Sequence, residues 1–118
     1  MTVTIYHNAR CSKSRQTLQL LRDRGIEPEI VAYLDTPPTP EELDALCTAM
    51  GKQPQEITRT KETLFTELNL HRDDSRTRAE WLRILADNPR LIERPIVACN
   101  GRAAVGRPPE AVLAVLEA

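Results

Sequence analysis

The sequence predicts an α/β domain: one small mixed sheet in the order βαβ, a helical stretch, then ββα. Three observations carry this. The first 33 or so residues read strand, helix, strand. The segment "RPIVACNGRAAVGRPP" reads strand, tight turn, strand, with an apolar helical face after it. The polar stretch between them reads as helix in pieces. The chain, at 118 residues, is expected to be a single domain over 1–118, with the helical insertion at about 39–89 covering one end of the sheet.

"TVTIY" is short, β-branched and apolar, and predicts a strand over Thr2–Tyr6. A helix follows, with Ser12 or Ser14 as cap, Leu18, Leu20 and Leu21 as its apolar stripe, and Gly25 as its stop. "EPEIVAYL" predicts a second strand over about Glu29–Tyr33, with a right-handed crossover if the two strands are parallel. In "DTPPTPEE", Thr39 caps a helix over Pro40–Met50, Pro40 takes its first position, and Glu41 and Glu42 suit its dipole. Gly51 stops it. Further on, Ile57, Leu64, Leu68 and Leu70 fall on apolar positions. "SRTRAEWLRILADNP" predicts a helix capped by Ser75, burying Trp81, Leu82 and Leu85 and ended by Pro89. Pro95–Cys99 and Arg102–Val105 are the hairpin strands around Asn100-Gly101. Pro108 and Pro109 start the last helix, whose apolar face is Val112, Leu113 and Leu116.

Composition narrows the function classes. A domain this long buries roughly two-thirds of its unfolded surface and folds without staples. Formal net charge is -1, against a general nucleic-acid binder, and aromatics at 3% are too few for a base-stacking platform. The three cysteines, Cys11, Cys47 and Cys99, are an odd and sparse set, not a disulfide framework. The opening "MTVTIYHNAR" has no apolar signal-peptide core, and no apolar run approaches the ~18 residues of a membrane span. A protein of the cytoplasm, where thiols stay reduced, is the expectation.

Cys11 is the candidate for chemistry, and local sequence leaves two readings. One is a small apolar residue at a helix start. The other is a nucleophile, because unpaired N–H groups at a helix N-terminus and cationic neighbours both favour a thiolate. Arg10, Lys13 and Arg15 lie close by, and His7 is four residues upstream. The same N–H groups would hold an oxyanion. "CSKS" is C-x-x-S, so Ser14 cannot resolve a mixed disulfide and a working Cys11 needs an outside thiol or another cysteine. Cys47 and Cys99 read as core. A phosphatase loop would need arginine where Thr17 stands, and neither histidine has metal-ligand spacing, so no metal is expected. Arg59, Arg94 and Arg107 each read singly as surface arginines; converging on Cys11, their planar forks would suit a tetrahedral oxyanion.

These residues carry a resemblance. "TIYHNARCSKSRQTLQLLRDRGIEPEIVAYLDTPPT" and "LIERPIVACNGRAAVGRPPEAVL" resemble the opening and closing sections of the glutaredoxin-coupled arsenate reductase (ArsC) family, in its short, chromosomal-type branch. "ITRTKE" is similar to the family's arginine-bearing segment. The resemblance covers nearly the whole chain and implies a thioredoxin-like fold. It implies Cys11 as the nucleophile on arsenate and Arg59, Arg94 and Arg107 as the oxyanion set. It implies His7 as a neighbour that lowers the thiol pKa, Asn8, Ser14 and Arg15 as loop residues, and a cis bond between Arg94 and Pro95. Ala9 departs from the proline usual in this loop.

The expected activity is therefore arsenate reduction to arsenite, in arsenic resistance, through one cysteine. Glutathione is the co-substrate, glutaredoxin the reductant, no cofactor is bound, and the protein acts as a monomer. Two alternatives stand beside it. One is a glutathione-dependent thiol reductase of another oxyanion or disulfide. The other is a non-enzymatic adaptor like the Spx-type proteins that bind RNA polymerase, although those typically carry C-x-x-C where this chain has Ser14.

Overall fold

Strand β1 (Val3–His7) is the centre around which the rest of the sheet is laid down. The structure is a computed structural model, and it describes residues 2–116. The sheet order is β2-β1-β3-β4, with β2 Glu29–Ala32, β3 Ile96–Cys99 and β4 Arg102–Val105. β1 pairs parallel with β2 and antiparallel with β3, and β3 pairs antiparallel with β4. Ile5 stands opposite Ile30 on one side and Val97 on the other.

Helix α1 (Ser12–Asp23) is the crossover between the two parallel strands. Val3, Ile5, Leu21, Val97, Cys99, Val112 and Val115 form one buried cluster, with Leu18, Leu20 and Ile26 packed against it. Burying a side chain of this size is worth about 1.5–3 kcal/mol, so this cluster is the main stabilising contact of α1 with the sheet. The face of α1 also buries Ser14 and Thr17, which extend the Leu21 face toward the helix start. Asn100 (φ 52) and Gly101 (φ 77) are both left-handed, the turn a two-residue hairpin requires.

The described residues divide into two compact units. One holds the sheet and runs to Thr36, resuming at Arg94; the other is Pro37–Glu93. In the second, α2 (Pro40–Met50) packs against α4 (Arg78–Asp87). Leu43, Leu46, Cys47, Trp81, Leu82 and Leu85 are buried there. A short helix, α3 (Thr63–Glu67), and 3-10 turns at Pro54–Ile57 and Pro89–Leu91 fill the rest. Among the described residues, no helix is long and apolar enough to cross a membrane.

Several expected details change. β1 begins at Val3, and β3 begins at Ile96 because Pro95 has no N–H for the ladder. The cap of α1 is Cys11, not Ser12 or Ser14: its carbonyl accepts the Arg15 N–H at 3.0 Å, while Ser14 is fully buried inside the helix. Thr77, not Ser75, caps α4, because Thr77 and Glu80 satisfy each other's backbone N–H groups. Ser75 falls in a turn where Asp74 accepts the N–H groups of His71 and Arg76. Leu68 is 38% exposed and Phe65 is buried instead, since a five-residue helix cannot sustain the apolar stripe expected there. The last helix starts as a 3-10 turn at Pro109–Val112 and becomes α5 at Leu113–Leu116, with Val112 and Val115 buried.

Candidate active site

The loop from β1 to α1 is tied by four short hydrogen bonds. The Cys11 N–H donates to the Asn8 carbonyl at 3.0 Å, and the Arg10 N–H donates to Asn8 Oδ1 at 3.0 Å. The Asn8 N–H donates to Ser14 Oγ at 3.0 Å, and Arg15 Nη1 donates to the Ala9 carbonyl at 2.9 Å. Asn8, Ser14 and Arg15 thus hold the loop shape rather than face it as free donors. Ser14 Oγ also lies 2.6 Å from His7 Nδ1. Since Oγ accepts from Asn8, its proton is best directed at Nδ1, which places the neutral ring's own proton on Nε2.

Cys11 is half-buried at the N-cap with extended backbone (φ −92, ψ 124). Burial is the largest single influence on its thiol and pushes the pKa up. The Ser14 N–H, the Arg94 charge, the Lys13 N–H and the Arg107 side chain together outweigh it and hold the thiol below its ordinary value. The Ser14 and Lys13 N–H groups belong to the first turn of α1, so the helix start itself favours the thiolate.

Arg107 Nη1 lies 3.9 Å from Cys11 Sγ and donates to the Arg94 carbonyl at 3.2 Å. Two of the three expected arginines therefore act on the sulfur, one through its charge and one through a hydrogen bond. Arg59 lies in the Pro37–Glu93 unit. There its N–H donates to the Leu91 carbonyl at 2.7 Å, Nη1 donates to the Arg90 carbonyl at 3.2 Å, and Nη2 pairs with Glu62 at 3.2 Å.

His7 is joined to the loop through the Ser14 hydroxyl. Burial first, then the charges of Arg22 and Arg15, lower its pKa and favour the neutral ring. A neutral imidazole does not attract a thiolate by charge; its link to the site is the Ser14 hydroxyl. The Arg94-Pro95 bond is cis, as expected, and the Arg107-Pro108 bond is cis as well, which sequence reading missed. Cys47 and Cys99 are buried core residues, and burial pushes the Cys47 thiol up to about 11.

Sequence reading also missed Thr17 and Gly106. Thr17 is fully buried, with its hydroxyl donating to the Lys13 carbonyl at 2.8 Å, and its side chain stands where a β-carbon on residue 106 would point. The available signal was the glycine directly before Arg107-Pro108. An open groove of about 400 Å³ lies beside the loop, walled by His7, Ala9, Arg10, Ala32, Leu34 and Asp35. The whole arrangement is a thiol with a lowered pKa, two guanidinium groups and a helix N-terminus in one place, suited to attack on a tetrahedral oxyanion.

Comparisons with known proteins agree on one family. The model of the ArsC family matches residues 6–115. The uncharacterized protein YfgD of Escherichia coli (strain K12) is 50% identical over 115 residues, 97% of this chain and 96% of that protein. An arsenate reductase of Neisseria meningitidis serogroup B is 49% identical over 115 residues, 97% of each chain. The structure of an arsenate reductase from Vibrio cholerae superposes with a TM-score of 0.92 at 48% identity, covering 98% of each chain. The mixed four-stranded sheet and its helices are the thioredoxin-like fold of those structures. With a family model spanning most of its length and relatives near half identity from end to end, this chain belongs to the ArsC family.

Proposed function

We propose that this protein is an arsenate reductase whose single working thiol is Cys11. The observation that carries the reading is Arg107 Nη1 at 3.9 Å from a Cys11 sulfur whose pKa is held down. The family membership and the arsenate reductases among its relatives support arsenate as the oxyanion.

The Cys11 thiolate attacks As(V). A sulfur–arsenic bond forms and one arsenic–oxygen bond breaks, with the departing oxygen leaving as water once protonated. Arg94 and Arg107 bind the remaining oxygens and stabilise the charge that develops on them. A neutral His7, held through Ser14, keeps the loop in shape without adding a charge. Ser14 leaves no second thiol in the C-x-x-S loop, which supports outside thiols as the source of electrons. Glutathione forms the mixed adduct with cysteinyl-arsenate, and glutaredoxin reduces it. In sum, arsenate monoanion, two thiols and a proton give arsenous acid, one disulfide and one water. Arsenic gains the two electrons that the thiols lose. The groove beside the loop lies within the ~300–1,000 Å³ range of small-ligand sites.

The test is arsenate reduction coupled to glutathione and glutaredoxin. Wild-type protein should turn over arsenate, and Cys11→Ser should not. Equal rates for the two proteins would overturn the assignment of Cys11. Turnover with an uncoupled dithiol, but none with glutathione and glutaredoxin, would overturn the reductant while leaving the nucleophile.

A further inference from the structure

Gly106 lies where the segment after β4 meets α1. A β-carbon at this position would stand 2.6 Å from Thr17 Oγ1, 2.9 Å from Pro95 Cγ and 3.2 Å from Thr17 Cγ2. None of these atoms steps aside easily. Thr17 is fully buried and β-branched, so its rotamer freedom is small, and its hydroxyl is tied to the Lys13 carbonyl at 2.8 Å. The Pro95 ring is buried, and the Gly106 N–H donates to the Pro95 carbonyl at 2.8 Å. The backbone at residue 106 therefore sits against α1 at a separation that only glycine permits.

The next residue is Arg107, whose guanidinium reaches the Cys11 sulfur at 3.9 Å, a long contact for an N–H···S bond, and the Arg94 carbonyl at 3.2 Å. Any outward shift of residue 106 is passed to Arg107 through a single peptide unit. Thr17 ties the same point back to the sulfur's own helix: its partner Lys13 supplies one of the N–H groups that face the thiolate. We propose that Gly106 and Thr17 are positioning residues, a two-sided seat that sets the reach of the Arg107 guanidinium to the Cys11 sulfur. Neither touches substrate; both act through Arg107. The inference deepens the reading of Cys11 as the nucleophile and rests on it.

The experiment measures the pH midpoint of Cys11 alkylation by iodoacetamide, an uncharged probe, and separately KM and kcat for arsenate. In Gly106→Ala the midpoint should rise toward that of an ordinary thiol, and alkylation near neutral pH should slow by about tenfold. KM for arsenate should rise by about tenfold, with a smaller change in kcat. Adding Thr17→Ala removes the two threonine contacts and should bring both midpoint and KM back toward wild type. In an Arg107→Ala background, Gly106→Ala should leave the midpoint where Arg107→Ala alone puts it. A folded Gly106→Ala with wild-type midpoint and KM overturns the proposal, as does an equal midpoint shift with and without Arg107. If Gly106→Ala does not fold, Thr17→Ile enlarges the same contact from the other side. It should raise the midpoint too, and an unmoved midpoint there overturns the seat. The alkylation arm needs no arsenate, so a raised midpoint in a protein that does not reduce arsenate separates the seat from the substrate assignment.

Discussion

His7 Nδ1 and Ser14 Oγ stand 2.6 Å apart, joining the end of β1 to the first turn of α1 across the loop that carries Cys11. Ser14 is fully buried and accepts the Asn8 N–H as well, so one hydroxyl fixes both the histidine ring and the loop backbone. An unmade hydrogen bond at a buried group costs about 1–3 kcal/mol. Ser14→Ala should therefore destabilise the fold by about that amount in urea denaturation. The thiol midpoint should move little, because the Ser14 N–H that favours the thiolate belongs to the backbone and remains.

The neutral ring at His7 gives a pH dependence with a definite sign. Its folded pKa lies below the ordinary value of 6.5, chiefly through burial and then through Arg22 and Arg15. Between the two values the unfolded chain binds the proton and the folded chain does not, so stability falls as pH falls below 6.5. Above 6.5 both states are neutral and the contribution is complete. Denaturant unfolding from neutral to mildly acid pH should show this decline, and His7→Gln should flatten part of it. An identical slope in wild type and His7→Gln would count against a neutral, partly buried ring.

Three cysteines should differ sharply in reactivity. Cys47 is fully buried with its thiol pushed up to about 11 by burial, and Cys99 is 3% exposed. Cys11 is half-buried and its thiol is held down. Under native conditions at neutral pH, one cysteine per chain should react with a thiol reagent within minutes, and peptide mapping by mass spectrometry should locate it at Cys11. Cys11→Ser should remove the fast phase entirely. The two remaining thiols should react only on unfolding, since a thiolate has to form and be reached before it attacks.

Sequence pattern reached the sheet more readily than the site. β1 and the hairpin strands were legible because Val3, Ile5, Val97 and Cys99 are apolar where the sheet packs on α1, and because Asn100-Gly101 supplies the left-handed turn. The face of α1 was legible only in its apolar half. Ser14 and Thr17 are as buried as Leu21, but a pattern that counts hydrophobic residues passes over buried hydroxyls satisfied by local partners. Cys11 was legible from its charge setting and helix start, whereas the approach of Arg94 and Arg107 to it is a long-range fact of sheet pairing. Spacing alone carries no record of it; only the family resemblance of "LIERPIVACNGRAAVGRPPEAVL" implied it. The cap of α4 was misplaced because Ser75 and Thr77 are both good caps, and only Thr77 has a glutamate three residues on.

That cap yields a paired prediction. Thr77 Oγ1 accepts the Glu80 N–H at 3.2 Å, and Glu80 Oε1 accepts the Thr77 N–H at 3.1 Å. Thr77→Ala should cost about 1 kcal/mol by thermal or urea unfolding, within the range known for lost caps. Ser75→Ala should cost no more than about 0.5 kcal/mol, as for other surface changes. Thr39→Ala should resemble Thr77→Ala, since Thr39 and Glu42 form the same reciprocal pair at the start of α2.

Arg94 and Arg107 lower the Cys11 thiol in different ways, and substitutions at Arg107 test the second. Arg94 acts by charge; Arg107 acts through a hydrogen bond and also holds the Arg94 carbonyl. Arg107→Ala should raise the Cys11 alkylation midpoint. Arg107→Lys should recover part of that rise, because an ammonium keeps the charge but lacks the fork that spans sulfur and carbonyl together. The folded thiol pKa lies below its unfolded value, so the thiolate adds stability that is complete above the unfolded pKa and lost as pH falls through the folded one. Wild type should thus gain stability over Cys11→Ser as pH rises through this window, under reducing conditions. Arg107→Ala should shrink the gain and move its onset to higher pH. A gain of the same size and onset with and without Arg107 would show that the guanidinium does not act on the sulfur.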